Sequence, residues 1–270
     1  MRRTSLFLML LLMVVAVGMP AYSAENDVDP KELAWESYRA SYFQGDDVKA
    51  RVTMEITDNQ NRTRTRELSL LRKDIDDKNQ KYYAYFHEPS RLREMVFLVW
   101  THAGQDDDRW LYLPSIDVVQ RISGQQKRNS FAGSDFTYED MTGRYPENDT
   151  FEYLREDTYE GNPVHVLKGT PKNPNMVEFS HYEVQIDKKT KLPHKAVFYT
   201  PQGDPHRTLT LEKVEEIDGY LTPVVQKAVN HQTGSTTVAT MENVEYGLGL
   251  PERVFEQRYL RRPPTPWIKP

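Results

Sequence analysis

Val48-Lys49-Ala50-Arg51-Val52-Thr53-Met54-Glu55-Ile56-Thr57 alternates apolar and polar side chains without a break. A period of two marks a strand with one dry and one wet face, so a sheet is expected from here onward. Just upstream the pattern is different. Asp29 can cap a helix, Pro30 suits its first position and Glu32 follows three residues after the cap, which predicts a helix from Pro30 to about Phe43. Its stripe of Leu33, Trp35, Tyr38, Tyr42 and Phe43 needs a surface to lie against, and Gly45 offers a stop.

Downstream, the turn Asp58-Asn59-Gln60-Asn61 leads into a second alternating strand. Arg62, Arg64, Arg66, Leu68 and Leu70 share one parity there, so that face changes from polar to apolar along its length. Strand candidates continue at Tyr82 to His87, Arg93 to Thr101, Arg109 to Leu113 and Val118 to Ile122. After an irregular stretch from Gly124 to Asp149 they resume at Phe151 and run to Asn243, separated by turn signals such as Glu160-Gly161-Asn162 and Asp218-Gly219. About a dozen short strands joined by tight loops describe an antiparallel meander that curls around whatever covers its apolar face. Only the leading helix, the irregular stretch and a short helix at Pro251 to Phe255 are available as cover. The proline-rich end, 261–270, is expected to be extended or frayed.

Met95-Val96-Phe97-Leu98-Val99-Trp100 and Trp110-Leu111-Tyr112-Leu113 are apolar at both parities, as strands covered on both sides are. Such a pair is explained by ordinary packing beneath a loop or helix, or by a covered surface that encloses an apolar ligand.

The first 24 residues have another purpose. Arg2 and Arg3 precede an apolar run from Leu6 to Val17, followed by Gly18, Pro20 and the stretch Ala21-Tyr22-Ser23-Ala24. This predicts a signal peptide cut near Ser23 or Ala24, its core much shorter than the roughly 20 residues of a membrane-spanning helix. Among 270 residues there are 35 basic and 40 acidic side chains, a formal charge of −5, and no cysteine. That excludes disulfides, thiolate metal sites and cysteine nucleophiles. An acidic chain without a basic block argues against a nucleic-acid partner. The seven histidines fall in no metal-binding pattern, Asp106-Asp107-Asp108 reads as a solvated hairpin tip, and no nucleophile elbow or phosphate-cradling loop occurs. No catalytic residue, metal or cofactor is expected.

The leader, the capped helix, the arginine-bearing second strand, Trp110-Leu111-Tyr112-Leu113-Pro114 and above all Phe131-Ala132-Gly133-Ser134-Asp135-Phe136-Thr137-Tyr138-Glu139-Asp140 resemble the outer membrane lipoprotein-sorting family, relatives of the periplasmic carrier LolA and its acceptor LolB. Ile186-Asp187-Lys188-Lys189-Thr190-Lys191-Leu192-Pro193 is similar to a strand, turn and strand in that family's second half. The likeness spans nearly all of 25–260. It implies a mainly β fold, an incomplete, strongly curved antiparallel barrel of about 11–12 strands, with a few helices covering the open side. It also implies a periplasmic, non-enzymatic carrier with a cavity for acyl chains. The chain looks closest to a longer branch associated with inner-membrane lipid exporters of the resistance-nodulation type, so its cargo is a lipoprotein or another membrane lipid. An outer-membrane acceptor and transient membrane contact complete the implied partners.

On strand parity the cavity wall is expected at Met54, Leu68, Leu70, Tyr83, Tyr85, Phe97, Val99, Leu111 and Leu113, where a slip of one residue exchanges inside for outside. Phe131, Phe136 and Tyr138 are the expected lid, with Ser134, Asp135, Glu139 and Asp140 as its polar anchors or partner contacts. Arg62, Arg64 and Arg66 form a basic row that is either a rim for anionic headgroups or a solvated strand face. The rivals from other classes are a lipid-processing hydrolase using the same pocket and a structural accessory of an envelope exporter.

Overall fold

The computed structural model describes residues 28–268; the expected leader at 1–24 lies outside them. Helix α1 spans Pro30–Tyr42, and the Asp29 carboxylate accepts from the backbone N–H groups of Lys31 and Glu32 at 2.8 and 3.2 Å. These are two of the donors that a helix start leaves without partners.

Thirteen strands follow: β1 Asp47–Thr57, β2 Thr63–Asp74, β3 Gln80–Glu88, β4 Val96–Trp100, β5 Asp108–Leu113, β6 Val118–Arg121, β7 Asp149–Tyr159, β8 Asn162–Pro171, β9 His181–Asp187, β10 Pro193–Tyr199, β11 Pro205–Ile217, β12 Tyr220–Asn230 and β13 Ser235–Tyr246. All belong to one antiparallel sheet in the order β6-β5-β4-β3-β2-β1-β13-β12-β11-β10-β9-β8-β7. Each candidate segment becomes its own strand, so the count slightly exceeds the expected dozen. The sheet is open, and β1 pairing with β13 puts the two ends of the strand series at its centre.

This order dictates the path of the irregular stretch. β6 and β7 are the opposite edges, so residues 122–148 must cross one face of the sheet to connect them. Phe131, Tyr138 and Met141 of this covering segment pack on the face formed by Val52, Leu68, Phe86, Phe97, Val99 and Leu111. α1 covers the same face further along, where Leu33 and Ala34 meet Leu167, Val184 and Ile186. This is the inner face.

The outer face is also covered, which corrects two expectations. The short helical turn Glu252–Phe255 lies not over the open side but on the back of the sheet. The described part of the tail, to Ile268, is not frayed: Thr265–Ile268 forms a helical turn, α2, and Ile268 is 3% exposed. Leu250, Val254, Phe255, Leu260 and Ile268 pack against Leu71, Tyr83, Val96, Leu98 and Trp110. Three outer-face side chains donate to the tail's carbonyls: Trp100 to Phe255 and Tyr83 to Tyr259, each at 2.8 Å, and Ser69 to Ile268 at 2.9 Å. The buried Asp47 carboxylate accepts from Leu248 and Leu250 N–H at 2.7 and 2.6 Å, which fixes where the tail begins. Double cover explains the runs that are apolar at both parities.

Candidate functional site

β1 contributes Val48, Ala50, Val52 and Met54 to a cavity of about 140 Å³ on the inner face. Leu68, Leu70 and Tyr82 extend one wall, Ala239 and Met241 of β13 the other, and Phe131, Phe136 and Met141 of the covering segment form the roof. Tyr42 and Gln44 at the end of α1 and Tyr246 of β13 complete the lining. Two charged residues reach it, Asp140 of the covering segment and, beside the end of α1, Arg72. Arg72 donates to the carbonyls of Tyr42 at 2.7 Å and Gln44 at 2.6 Å, and to that of Gly45. These are carbonyls at a helix C-terminus, where a cation is favoured, so the charge is spent on structure.

Of the nine expected wall residues, Met54, Leu68 and Leu70 line this void. Phe97, Val99, Leu111 and Leu113 are on the same face but pack to one side of it, around Phe131 and Tyr138. Tyr83 and Tyr85 are misplaced by one register step. Leu71 pairs with Tyr83 and Ser69 with Tyr85, so both rings face outward under the tail. Tyr82 is the inner ring, and its hydroxyl donates to Gln80 Oε1 at 2.6 Å.

The covering segment turns its rings inward. Phe131 is 1% and Phe136 8% exposed, and Phe131 meets Phe86 and Phe97 at centroid distances of 5.6 and 5.5 Å. Tyr138 packs against Phe97 at a centroid distance of 5.0 Å, the rings tilted by 48°. Polar side chains tie the segment to the sheet. Asp135 accepts from Ser235 and Thr237 of β13 and returns its own N–H to Thr237 Oγ1 at 2.9 Å. Asp140 accepts from Thr137 and from Arg207 of β11. Glu139 pairs with Lys127 and Arg144, and Arg144 continues to Asp149 at 2.7 Å. Ser134 holds the turn itself, donating to the Phe131 carbonyl at 2.7 Å.

The basic row divides into three fates. Arg62 lies in the turn before β2 and pairs with Asp58 at 2.8 Å, and Arg64 is exposed. Arg66 is 3% exposed and donates to the Ala132 carbonyl of the cover at 3.1 Å and to the Thr65 carbonyl at 2.9 Å. Burial, then the charges of Arg91 and Arg64, lower its pKa. The row is therefore neither a uniform rim nor a solvated face. The acidic hairpin is also tighter than expected, for Asp107 is buried against Arg109 and burial raises its pKa against the pull of that arginine.

Ser69 Oγ lies 2.9 Å from His87 Nε2, but the hydroxyl donates to the Ile268 carbonyl at 2.9 Å. The imidazole is then the donor in that contact rather than a base toward the serine. Among the described residues no group of three or more His, Asp or Glu is placed to hold a metal ion.

An open antiparallel sheet curled around a roofed apolar cavity is the LolA-type fold. Two solved structures share it at a TM-score of 0.79: a DUF1329 family protein from Desulfovibrio piger, 27% identical over 86% of this chain and 100% of that one, and a candidate outer membrane lipoprotein-sorting protein domain from Vibrio parahaemolyticus, 30% identical over 86% and 98%. A LolA superfamily protein from Nitrosomonas europaea has the same fold at a TM-score of 0.67 and 18% identity, over 86% of this chain and 99% of that one. Residues 78–262 match a family profile whose description reads "uncharacterized protein", and no curated protein matches the chain. The chain belongs to the outer membrane lipoprotein-sorting family of LolA-like proteins.

Proposed function

We propose that this protein is a periplasmic carrier that takes up acyl chains of a lipoprotein or another membrane lipid and passes them toward the outer membrane without covalent chemistry. The observation that carries this reading is an apolar cavity on the inner face, roofed by aromatic side chains of the covering segment. At about 140 Å³ the cavity is close in volume to the engineered apolar cavities of about 150 Å³ that admit benzene. It falls short of the roughly 300–1,000 Å³ of small-molecule sites. A hydrocarbon tail enters by displacing Phe136, and that ring returns when it leaves, so the empty cavity stays dry.

Burying a chain is worth about 0.8 kcal/mol per methylene, and a bilayer rewards the same methylenes almost equally. Exchange between membrane and cavity is then close to neutral, and direction comes from partners. An inner-membrane exporter of the resistance-nodulation type would load the cavity, and an outer-membrane acceptor would empty it.

Native mass spectrometry of gently purified mature protein, before and after organic extraction, tests the reading. Intact lipid that disappears on extraction is expected. Released fatty acid or an altered headgroup would replace carriage with enzymatic processing. Protein that is always empty and takes up no apolar dye would leave only a structural role.

A further inference from the structure

Phe136 has a void on each side. One is the apolar cavity; the other is a polar cleft of about 320 Å³ on the far side of the covering segment, between that segment, β11 and Glu178. Phe136 lines both, and the Arg207–Asp140 ion pair runs beside it, with Asp140 on the apolar side and Arg207 on the polar side. A ring shared by a greasy and a polar compartment suits a molecule that has both halves.

The cleft's chemistry narrows the polar half. The His206 side chain is nine-tenths buried at the cleft, and its Nδ1 has no hydrogen-bond partner; an orphaned buried polar atom calls for a ligand or ordered water. Asn230 Oδ1 is used by two backbone N–H groups of its own turn, while its amide nitrogen has no partner among the described residues. Arg128 makes only long contacts, at 3.4 Å to two carbonyls and 3.9 Å to Glu178. Glu178 is half exposed and approaches His206 no closer than 3.9 Å. The other cleft carboxylates, Asp135 and Glu139, are already engaged.

Weakly engaged donors and a weakly engaged carboxylate acceptor therefore face the same space. A phosphate offers acceptors alone: it would pair with Arg128 but meet Glu178 as a like charge and leave that acceptor without a donor. A hydroxyl both gives and takes a hydrogen bond, and burial keeps His206 neutral by lowering its pKa.

We propose that the cavity and the cleft form one bipartite site for an amphiphile, the cavity taking its hydrocarbon chain and the cleft a neutral, hydroxyl-rich headgroup, with Phe136 as the partition that moves. This rests on the carrier reading and names the class of cargo.

Displacement of a cavity-bound apolar dye by decyl glucoside and decyl phosphate, both below micelle formation, tests it on the mature protein. Decyl glucoside is expected to displace the dye at about tenfold lower concentration, a difference of about 1.4 kcal/mol. Glu178→Gln, which removes both the carboxylate acceptor and the like charge, should abolish that preference while leaving the dye's own affinity unchanged. Glu178 is half exposed, so the variant keeps the fold. Decyl phosphate binding as well as or better than the glucoside, or a preference that survives Glu178→Gln, would overturn the bipartite site and leave carriage of chains intact. Failure of dye and both alkyl probes to bind the native protein would remove the carrier reading, and this inference with it.

Discussion

Arg207 on β11 grips Asp140 of the covering segment with both terminal guanidinium nitrogens, the Nη2–Oδ1 contact measuring 3.1 Å. The two side chains are only 10% and 15% exposed. Arg144 also ties the segment to Asp149 at the start of β7, but Asp140 is the paired carboxylate that lines the cavity.

Asp140→Asn leaves Arg207 desolvated and uncompensated, a loss of about 3–5 kcal/mol for a buried pair. The expected result in denaturant unfolding is a fall of about that size, together with faster uptake of an apolar dye. Arg207→Met with Asp140→Leu should restore most of the stability while dye uptake stays fast. A double variant that takes up dye no faster than the native protein would show that the pair supports the fold without holding the roof shut.

The roof's aromatic side chains should not respond alike. Phe131 sits at 1% exposure among Phe86, Phe97 and Tyr138, so Phe131→Ala should cost about 3–5 kcal/mol as a core truncation. Phe136 stands between two voids, so Phe136→Asp should lower lipid occupancy, read by native mass spectrometry, far more than thermal stability. Tyr138→Asp falls between the two because its ring also packs on Phe97. Equal loss of occupancy and stability at Phe136 would make it a core residue.

The difference between these rings was invisible in the sequence, and the reason is general to this sheet. Met54 was legible as a wall residue because Glu55 and Thr53 beside it mark the wet face. Tyr82-Tyr83-Ala84-Tyr85-Phe86 carries no such mark, since the tail covers one face and the roof the other. Period two then loses its phase, and nothing local tells Tyr83 from Tyr82 as the inward ring. The tail misled for a related reason: Pro263, Pro264 and Pro266 forbid a long helix but do not prevent docking, and the partners that hold it, Asp47 and Ser69, lie some two hundred residues earlier. The pairing of β1 with β13 and the inward ends of Tyr42, Ala239 and Met241 depend on the same kind of distant contact. By contrast the α1 cap, the strand segments and the covering stretch are local signals, and they were readable.

Cutting the chain after Leu260 tests the tail directly. It removes Ile268 and the carbonyl that Ser69 donates to. Full burial of such a side chain is worth about 1.5–3 kcal/mol, and a loss of that order in unfolding free energy is expected. Cutting after Gly247 also strips cover from Leu71, Tyr83, Leu98 and Trp110, and the product should be insoluble. A chain ending at Leu260 that melts like the full-length protein would restore the frayed tail.

Acid should loosen the outer face before it protonates most carboxylates. His87 is in contact with Ser69 and Tyr85 beneath the tail. Burial, then the charge of Arg51, pushes its pKa from 6.5 down to about 4, with Glu67 and Glu88 pulling the other way. Between those two values the unfolded chain binds a proton that the folded chain refuses, so stability is complete above pH about 6.5 and falls as the pH drops toward 4. His165 and His206, whose pKa values burial also lowers, act with the same sign. Asp187 acts at lower pH: burial raises its pKa, but hydrogen bonds from the Thr190 and Lys189 backbone and from His194 hold it below the usual carboxylate value. Its contribution is lost only as the pH falls through the carboxylate range. Melting temperatures measured from pH 7.5 to 4.5 should therefore decline, and His87→Gln should flatten the slope while keeping a hydrogen bond to Ser69. A native protein whose melting temperature is level across that window would mean that His87 is protonated in place, with the tail lifted off its ring.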